Sequence, residues 1–153
     1  MSWSLQIANG DLVIGSGGLN TVTGGAKLVQ DLGCALLTPM GTDPMHPTYG
    51  SLIDGGVDAT GKQVNGVIGS LNDDQNAAFV GAEVQRICRS YQASQIARNN
   101  ADVATYGKST LTADEALLGV ESINVQQVED QVLITATIQT GVGGLPVSVP
   151  IST

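Results

Sequence analysis

The chain has 153 residues, 42% of them hydrophobic and 13% charged, with a net charge of −8 from 14 acids against 6 bases. That length and apolar content exclude wholesale disorder and fit one domain with a real core, residues 1–153. The bases, Lys27, Lys62, Arg86, Arg89, Arg98 and Lys108, are scattered and form no dense patch. Neither a nucleic acid nor an anionic membrane is therefore expected as a partner.

Low charge together with a mean hydropathy of +0.14 suits a surface partly covered by partners, or equally a compact monomer rich in Gly, Ala and Thr. The start, MSWSLQIANGD, has neither a basic opening nor an apolar run, so no export signal is expected. No window approaches the ~18 apolar residues of a membrane span. Cys34 and Cys88 fall within predicted helices and are expected to stay reduced and buried.

In chain order, Leu5-Gln6-Ile7 and Leu12-Val13-Ile14 flank Asn9-Gly10, a strong hairpin turn signal. A Gly- and Thr-rich loop follows from Gly15 to Gly25, with a short strand near Thr21-Val22-Thr23. Leu28, Leu32, Ala35 and Leu36 recur at helical spacing and predict a helix over 26–37. Thr38-Pro39 ends it, and Pro44 and Pro47 keep the next loop out of helix. A short helix is expected over 49–53 and a flexible connection over 55–69.

A long helix is expected to start near Asn72, with Asp73 and Asp74 at its positive end. Ala77, Val80, Val84, Ile87 and Tyr91 form its buried stripe, and Glu83, Arg86, Arg89 and Arg98 fall mostly off it. It is expected to fray around Asn99-Asn100. Thr112 and Glu115 have the spacing of a capping box and predict a short helix over 112–118. Ile123, Val125 and Val128 predict a strand; Val132, Ile134, Ala136 and Ile138 alternate as a second, with a turn at Glu129-Asp130. The expected fold class is thus α+β: three to four helices packed on a small, mostly antiparallel sheet in a single domain.

The tail reads Leu-Pro-Val-Ser-Val-Pro-Ile over 145–151. Leu145, Val147, Val149 and Ile151 share one face of an extended strand. Pro146 and Pro150 share the other parity, so both missing donors lie on one edge. Residues 144–153 then read either as an ordinary edge strand whose prolines block aggregation, or as a strand that pairs with a neighbouring subunit.

The residues offer little chemistry. A Ser-His-Asp or Cys-His set would have to use His46, which sits in the proline loop. One histidine and two distant cysteines give no metal spacing. Gly15-Ser16-Gly17-Gly18-Leu19-Asn20 starts like a dinucleotide loop but has Asn where the last glycine belongs. No cofactor, metal or catalytic residue is expected. Asp43 and Asp54 are the best available pair for a glycosidase, though either could simply close a turn.

The helix "LVQDLGCALLT", the loop "PMGTDPMHP" and the restart "YGSLI" together resemble the lysozyme-like baseplate wedge family of contractile phage tails and related injection systems. The order of elements, a leading hairpin, a later long helix and a C-terminal strand pair, fits as well. The resemblance implies a virion protein of the tail baseplate, assembled in the host cytoplasm. It implies a non-catalytic sheath initiator whose sheet edges start the first sheath ring. Implied partners are the sheath protein, other wedge subunits, and the tail tube or hub.

On this reading Leu145, Val147, Val149 and Ile151 carry the strand pairing, Met45 and Tyr49 anchor partner contacts of the proline loop, and Arg98 joins them. A chain lacking 144–153 is expected to fold yet fail to start a sheath. Family members carry a Glu-Pro-Arg triplet after the long helix, whereas this chain reads Gln95-Ile96-Ala97-Arg98-Asn99-Asn100-Ala101-Asp102. Arg98 is the one residue there able to do similar work, which leaves the docking mode open. Two other classes stay open: a muramidase acting on peptidoglycan, and a soluble regulator that binds one protein.

Overall fold

The structure, a computed structural model, describes residues 3–67, 74–128 and 131–152. The N-terminal ribbon comprises β1 (Trp3–Leu5), β2 (Ile7–Ala8), β3 (Asp11–Leu12), β4 (Ile14–Gly15), β5 (Gly18–Leu19) and β6 (Thr21–Thr23). Asn9 and Gly10 both take positive φ, 53° and 81°, as a two-residue hairpin loop of this twist requires. The predicted hairpin forms there, with Ile7 opposite Leu12, but it is only one arm of three. Gly15 to Gly18 closes a second arm, and β1 pairs with β6 in the third. The dinucleotide-like glycines therefore serve a hairpin.

The arms meet in a ring of three backbone hydrogen bonds: Gln6 N to Asn20 O at 2.8 Å, Asn20 N to Val13 O at 2.9 Å, and Val13 N to Gln6 O at 3.0 Å. Gln6, Val13 and Asn20 are seven residues apart, each following a leucine, so the ribbon is a threefold internal repeat. From the first helix, α1 (Gly24–Leu37), the Gln30 side chain reaches the ring like a strand residue. Its Oε1 accepts from Ile7 N at 2.8 Å and its Nε2 donates to Leu5 O at 2.7 Å.

Helix α1 buries Leu28, Leu32, Ala35 and Leu36, the predicted stripe. Thr23 gives it no side-chain cap; instead the Glu115 Oε1 accepts from Gly24 N at 3.2 Å. A carboxylate at a helix N-terminus is favoured by the exposed N–H groups there. Gly24 has φ +64°, and a Cβ on it would lie 2.1 Å from Asp114 Oδ2. That left-handed φ favours glycine, and any side chain there would also have to displace the Asp114 carboxylate.

Beyond the proline loop lie β7 (Pro39–Met40), β8 (Ser51–Val57) and β9 (Gln63–Val64), one small sheet with β8 in the middle. The long helix α2 (Asp74–Tyr106) precedes β10 (Leu117–Val128), β11 (Gln131–Thr140) and β12 (Gly143–Ser152), an antiparallel meander with β11 in the centre. One apolar cluster joins α1, β8, α2 and the meander, with Ile53, Val80 and Ile138 fully enclosed.

The described residues hold two helices and twelve strands in several small sheets, so three to four helices on one sheet is not the architecture. The short helix expected over 49–53 is the start of β8. Gly50 turns the chain at φ +100°, and Ser51 N bonds Thr38 O at 2.8 Å, which sets Ser51 beside Pro39 as a strand. The segment 55–67 is likewise ordered: β8 runs on to Val57 and turns at Asp58, whose Oδ1 accepts from Thr60 N and Lys62 N at 2.9 Å. Residues 68 and 69 lie outside the described residues.

The helix expected over 112–118 is a single turn followed by β10. One arm of the capping box forms, with Glu115 Oε2 accepting from Thr112 N at 3.4 Å, but the Thr112 hydroxyl donates to that carboxylate and to Asp114, and the same carboxylate also caps α1. The start of α2 at Asn72 and Asp73 and the turn at Glu129-Asp130 lie outside the described residues. Rather than fraying at Asn99, α2 continues to Tyr106. Ser109 Oγ bonds Asn99 Oδ1 at 2.6 Å and Thr110 Oγ1 bonds Asp102, so the returning chain braces the last turns.

Candidate strand-pairing surface

The tail strand β12 pairs inside its own chain. Its ladder with β11 runs without a register shift from Gln131 opposite Ser152 to Thr140 opposite Gly143, passing both Pro146 and Pro150. A proline cannot donate, so an unbroken ladder through two of them places their nitrogens on the outer edge. Val147, Val149 and Ile151 are buried in the core and Leu145 packs half-buried beside Gly25, its Cδ2 3.2 Å from where a glycine Cβ would stand. These four side chains hold the fold together, so removing 144–153 would take out core.

The other edge of this sheet belongs to β10. Two irregularities in its pairing with β11, at Leu117/Gly119 and Val120/Ser122, bend it near its start. Over that start the helix supplies backbone partners. Gln95 Oε1 accepts from Leu117 N at 3.0 Å, Gln95 Nε2 donates to Glu115 O at 2.7 Å, and Gln92 Nε2 donates to Leu118 O at 3.1 Å. Among the described residues, no such bond reaches the stretch from Gly119 to Gln126, where α2 presents Ala77, Ala78, Gly81 and Ala82. Sequence patterning marked Ile123 and Val125 only as strand. The run of small residues at i, i+1, i+4 and i+5 on α2 was the signal for an open edge.

The proline loop is pinned at its base. Arg86 donates from Nη2 to Gly50 O at 2.7 Å and to Glu83 Oε2 at 2.9 Å, while that oxygen accepts from Leu52 N at 3.0 Å. Glu83 is only 6% exposed, so it is a buried strut, where helical spacing had put it on the flank. Ser51 Oγ adds a buried bond to Leu36 O at 2.7 Å. At the loop tip Met45 is 83% exposed, and Tyr49 borders a crevice of about 220 Å³ with Arg86 and Tyr91. Burial pushes the Tyr49 phenol above its ordinary range and the Tyr91 phenol further. Tyr91 donates to Asp31 Oδ2 at 2.6 Å, and Asp31 also pairs with buried Lys27. Arg98 is exposed beside Gln95 and Thr110, and its charge reaches Tyr91.

Asp43 accepts from His46 Nδ1 and from Met45 N, both at 2.9 Å, and the histidine bond holds its carboxyl below the usual range. A glycosidase acid needs the opposite shift. Cys34 and Cys88 are both free thiols; burial pushes Cys88 up to about 11 and raises Cys34 as well. Among the described residues no group of His, Cys, Asp and Glu could hold a metal ion, and no helix is long and apolar enough to cross a membrane. The chain matches no protein-family model, no curated protein and no solved structure.

Proposed function

We propose that this chain is a structural component of a contractile-tail baseplate, a wedge protein that starts the first sheath ring by strand pairing. One observation supports this most: a sheet closed by prolines on one edge and, among the described residues, left open from Gly119 to Gln126 on the other. Main-chain pairing of this kind supplies affinity without a catalytic group, and a single open edge fixes the direction in which an assembly grows. The proline loop, braced by Glu83, Arg86 and Ser51, offers a rigid second contact for wedge subunits.

The test is sheath polymerisation seeded by the purified chain. Added at low ratio to the sheath protein of the same tail, it should shorten the lag and appear at one end of each polymer by immunogold electron microscopy. Polymerisation with an unchanged lag and unlabelled ends would refute the reading.

A further inference from the structure

At the foot of the proline loop a crevice of about 220 Å³ opens between α1, the chain at 48–50 and α2. Ala35, Ile87 and the rings of Tyr49 and Tyr91 give it apolar walls, and Arg86 borders it. A dry apolar cavity of about 150 Å³ is enough to admit a benzene ring, so this one takes a large side chain with room for a polar group. Its rim is fixed in advance. Arg86 Nη2 donates to Gly50 O at 2.7 Å, and Tyr91 donates to Asp31 Oδ2 at 2.6 Å. A preformed site loses little ordering entropy when it is filled.

Two donors at the crevice are unused. Arg86 engages Glu83 and Gly50 O through Nε and Nη2, and among the described residues neither its Nη1 nor the Tyr49 hydroxyl has a hydrogen-bond partner. Burial raises the Tyr49 phenol, so the hydroxyl keeps its proton and remains a donor at neutral pH.

The charge around the crevice is the reverse of the chain's. Asp31, bonded to Tyr91, pairs with Lys27; Glu83 pairs with Arg86; and the charge of Arg98 reaches Tyr91. Three bases stand there against two acids, in a chain of net charge −8. Among the described residues Arg98 takes part in no ion pair. An apolar space with two free donors and local positive charge is complementary to a carboxylate on an apolar stem.

We propose that this crevice captures the C-terminal residue of a partner chain. The apolar side chain of that residue lies against Ile87 and the two tyrosine rings, and its terminal carboxylate accepts from Arg86 Nη1 and the Tyr49 hydroxyl. A C-terminal residue suits the site because its side chain and carboxylate leave one carbon atom, as the apolar walls and the donors share one small space. An internal glutamate has only its short methylene stem to set against the same walls. The site is separate from both sheet edges and does not depend on the strand-pairing reading.

The test is selection, on the whole chain, of random peptides displayed with free C-termini. Enriched peptides should end in Phe, Leu, Ile or Met, and a synthetic copy should lose at least tenfold in affinity when its C-terminus is amidated. Tyr49→Phe, which removes only a hydroxyl without a partner, should lose about tenfold, the value of one hydrogen bond to a charged group. Ser90→Leu fills the crevice from an exposed position of α2, where leucine is the better helix former. It should abolish binding without lowering the thermal midpoint. By NMR, the peptide should move the amides of Thr48, Gly50, Ser90 and Tyr91 and leave those from Gly119 to Gln126 in place.

No enriched C-terminus, or an amidated peptide or an internal glutamate that binds as well, would overturn the proposal. So would unchanged affinity in either Tyr49→Phe or Ser90→Leu, or amide shifts centred elsewhere.

Discussion

Along β12, Pro146 and Pro150 take two donors off the outer edge, while β10 has no proline between Gly119 and Gln126. The side chains of β12 that alternate with its prolines are buried, so this strand gives its apolar face to the core and its outer edge to protection. Two helix glutamines cover only Leu117 and Leu118 at the start of β10, and among the described residues no such bond reaches the stretch from Gly119 to Gln126. On the proposed reading, a sheet built this way grows only on one side. The difference is made by residue types that carry no charge and no reactive group.

The sharpest way to break the comparison is to damage the strand that holds both edges apart. Ile138→Ala empties a fully enclosed position of β11, and should cost about 2–5 kcal/mol in urea unfolding. Next is Gln95→Ala, which removes the side-chain bonds to Leu117 N and Glu115 O. Losing these two partly buried bonds should cost about 1–3 kcal/mol, and the Leu117 amide should exchange faster by NMR. Gln92→Ala removes one exposed bond, so the same unfolding experiment should move by about 0.5 kcal/mol or less.

Replacing both prolines, Pro146→Thr with Pro150→Thr, should barely change stability but should make β12 a second open edge. Sedimentation should then show concentration-dependent self-association, absent in the unchanged chain. Acid gives the mildest effect. Hydrogen bonds from His46, Thr60 and Thr112 respectively hold Asp43, Asp58 and Asp114 below their ordinary 3.8. A depressed folded value means that the unfolded chain takes up protons first. The stabilisation is therefore complete above the unfolded value and lost as pH falls through the folded ones. Thermal midpoints should be insensitive to these groups from pH 6 to 8 and fall below about pH 4.

Periodicity was readable where one element decides its own fate. The stripe of α1, the Asn9-Gly10 loop, the Thr21–Thr23 strand and the alternation of β11 all follow from local pattern. It misled where a distant residue decides. Tyr49 to Ile53 looks helical until Thr38 and Glu83 take its backbone N–H groups, and Thr112 with Glu115 looks like a helix start until that carboxylate is drawn to α1. The leucines at 5, 12 and 19 mark the N-terminal repeat plainly, but a seven-residue period reads as helix unless the glycines between are weighed.

The candidate site divides in the same way. The parity of Pro146 and Pro150 was legible as a one-sided edge, because strand geometry alone implies it. Which side was occupied, and that β10 held the open edge, depended on strand order across the meander. No local pattern encodes strand order.

The central claim is that growth occurs at β10 and not at β12. Hydrogen–deuterium exchange compares both edges in one experiment, on the free chain and on the chain assembled with the first sheath ring. Amides from Gly119 to Gln126 should become protected on assembly, with those of β12 unchanged. Protection gained along β12, or at neither edge, would contradict the account.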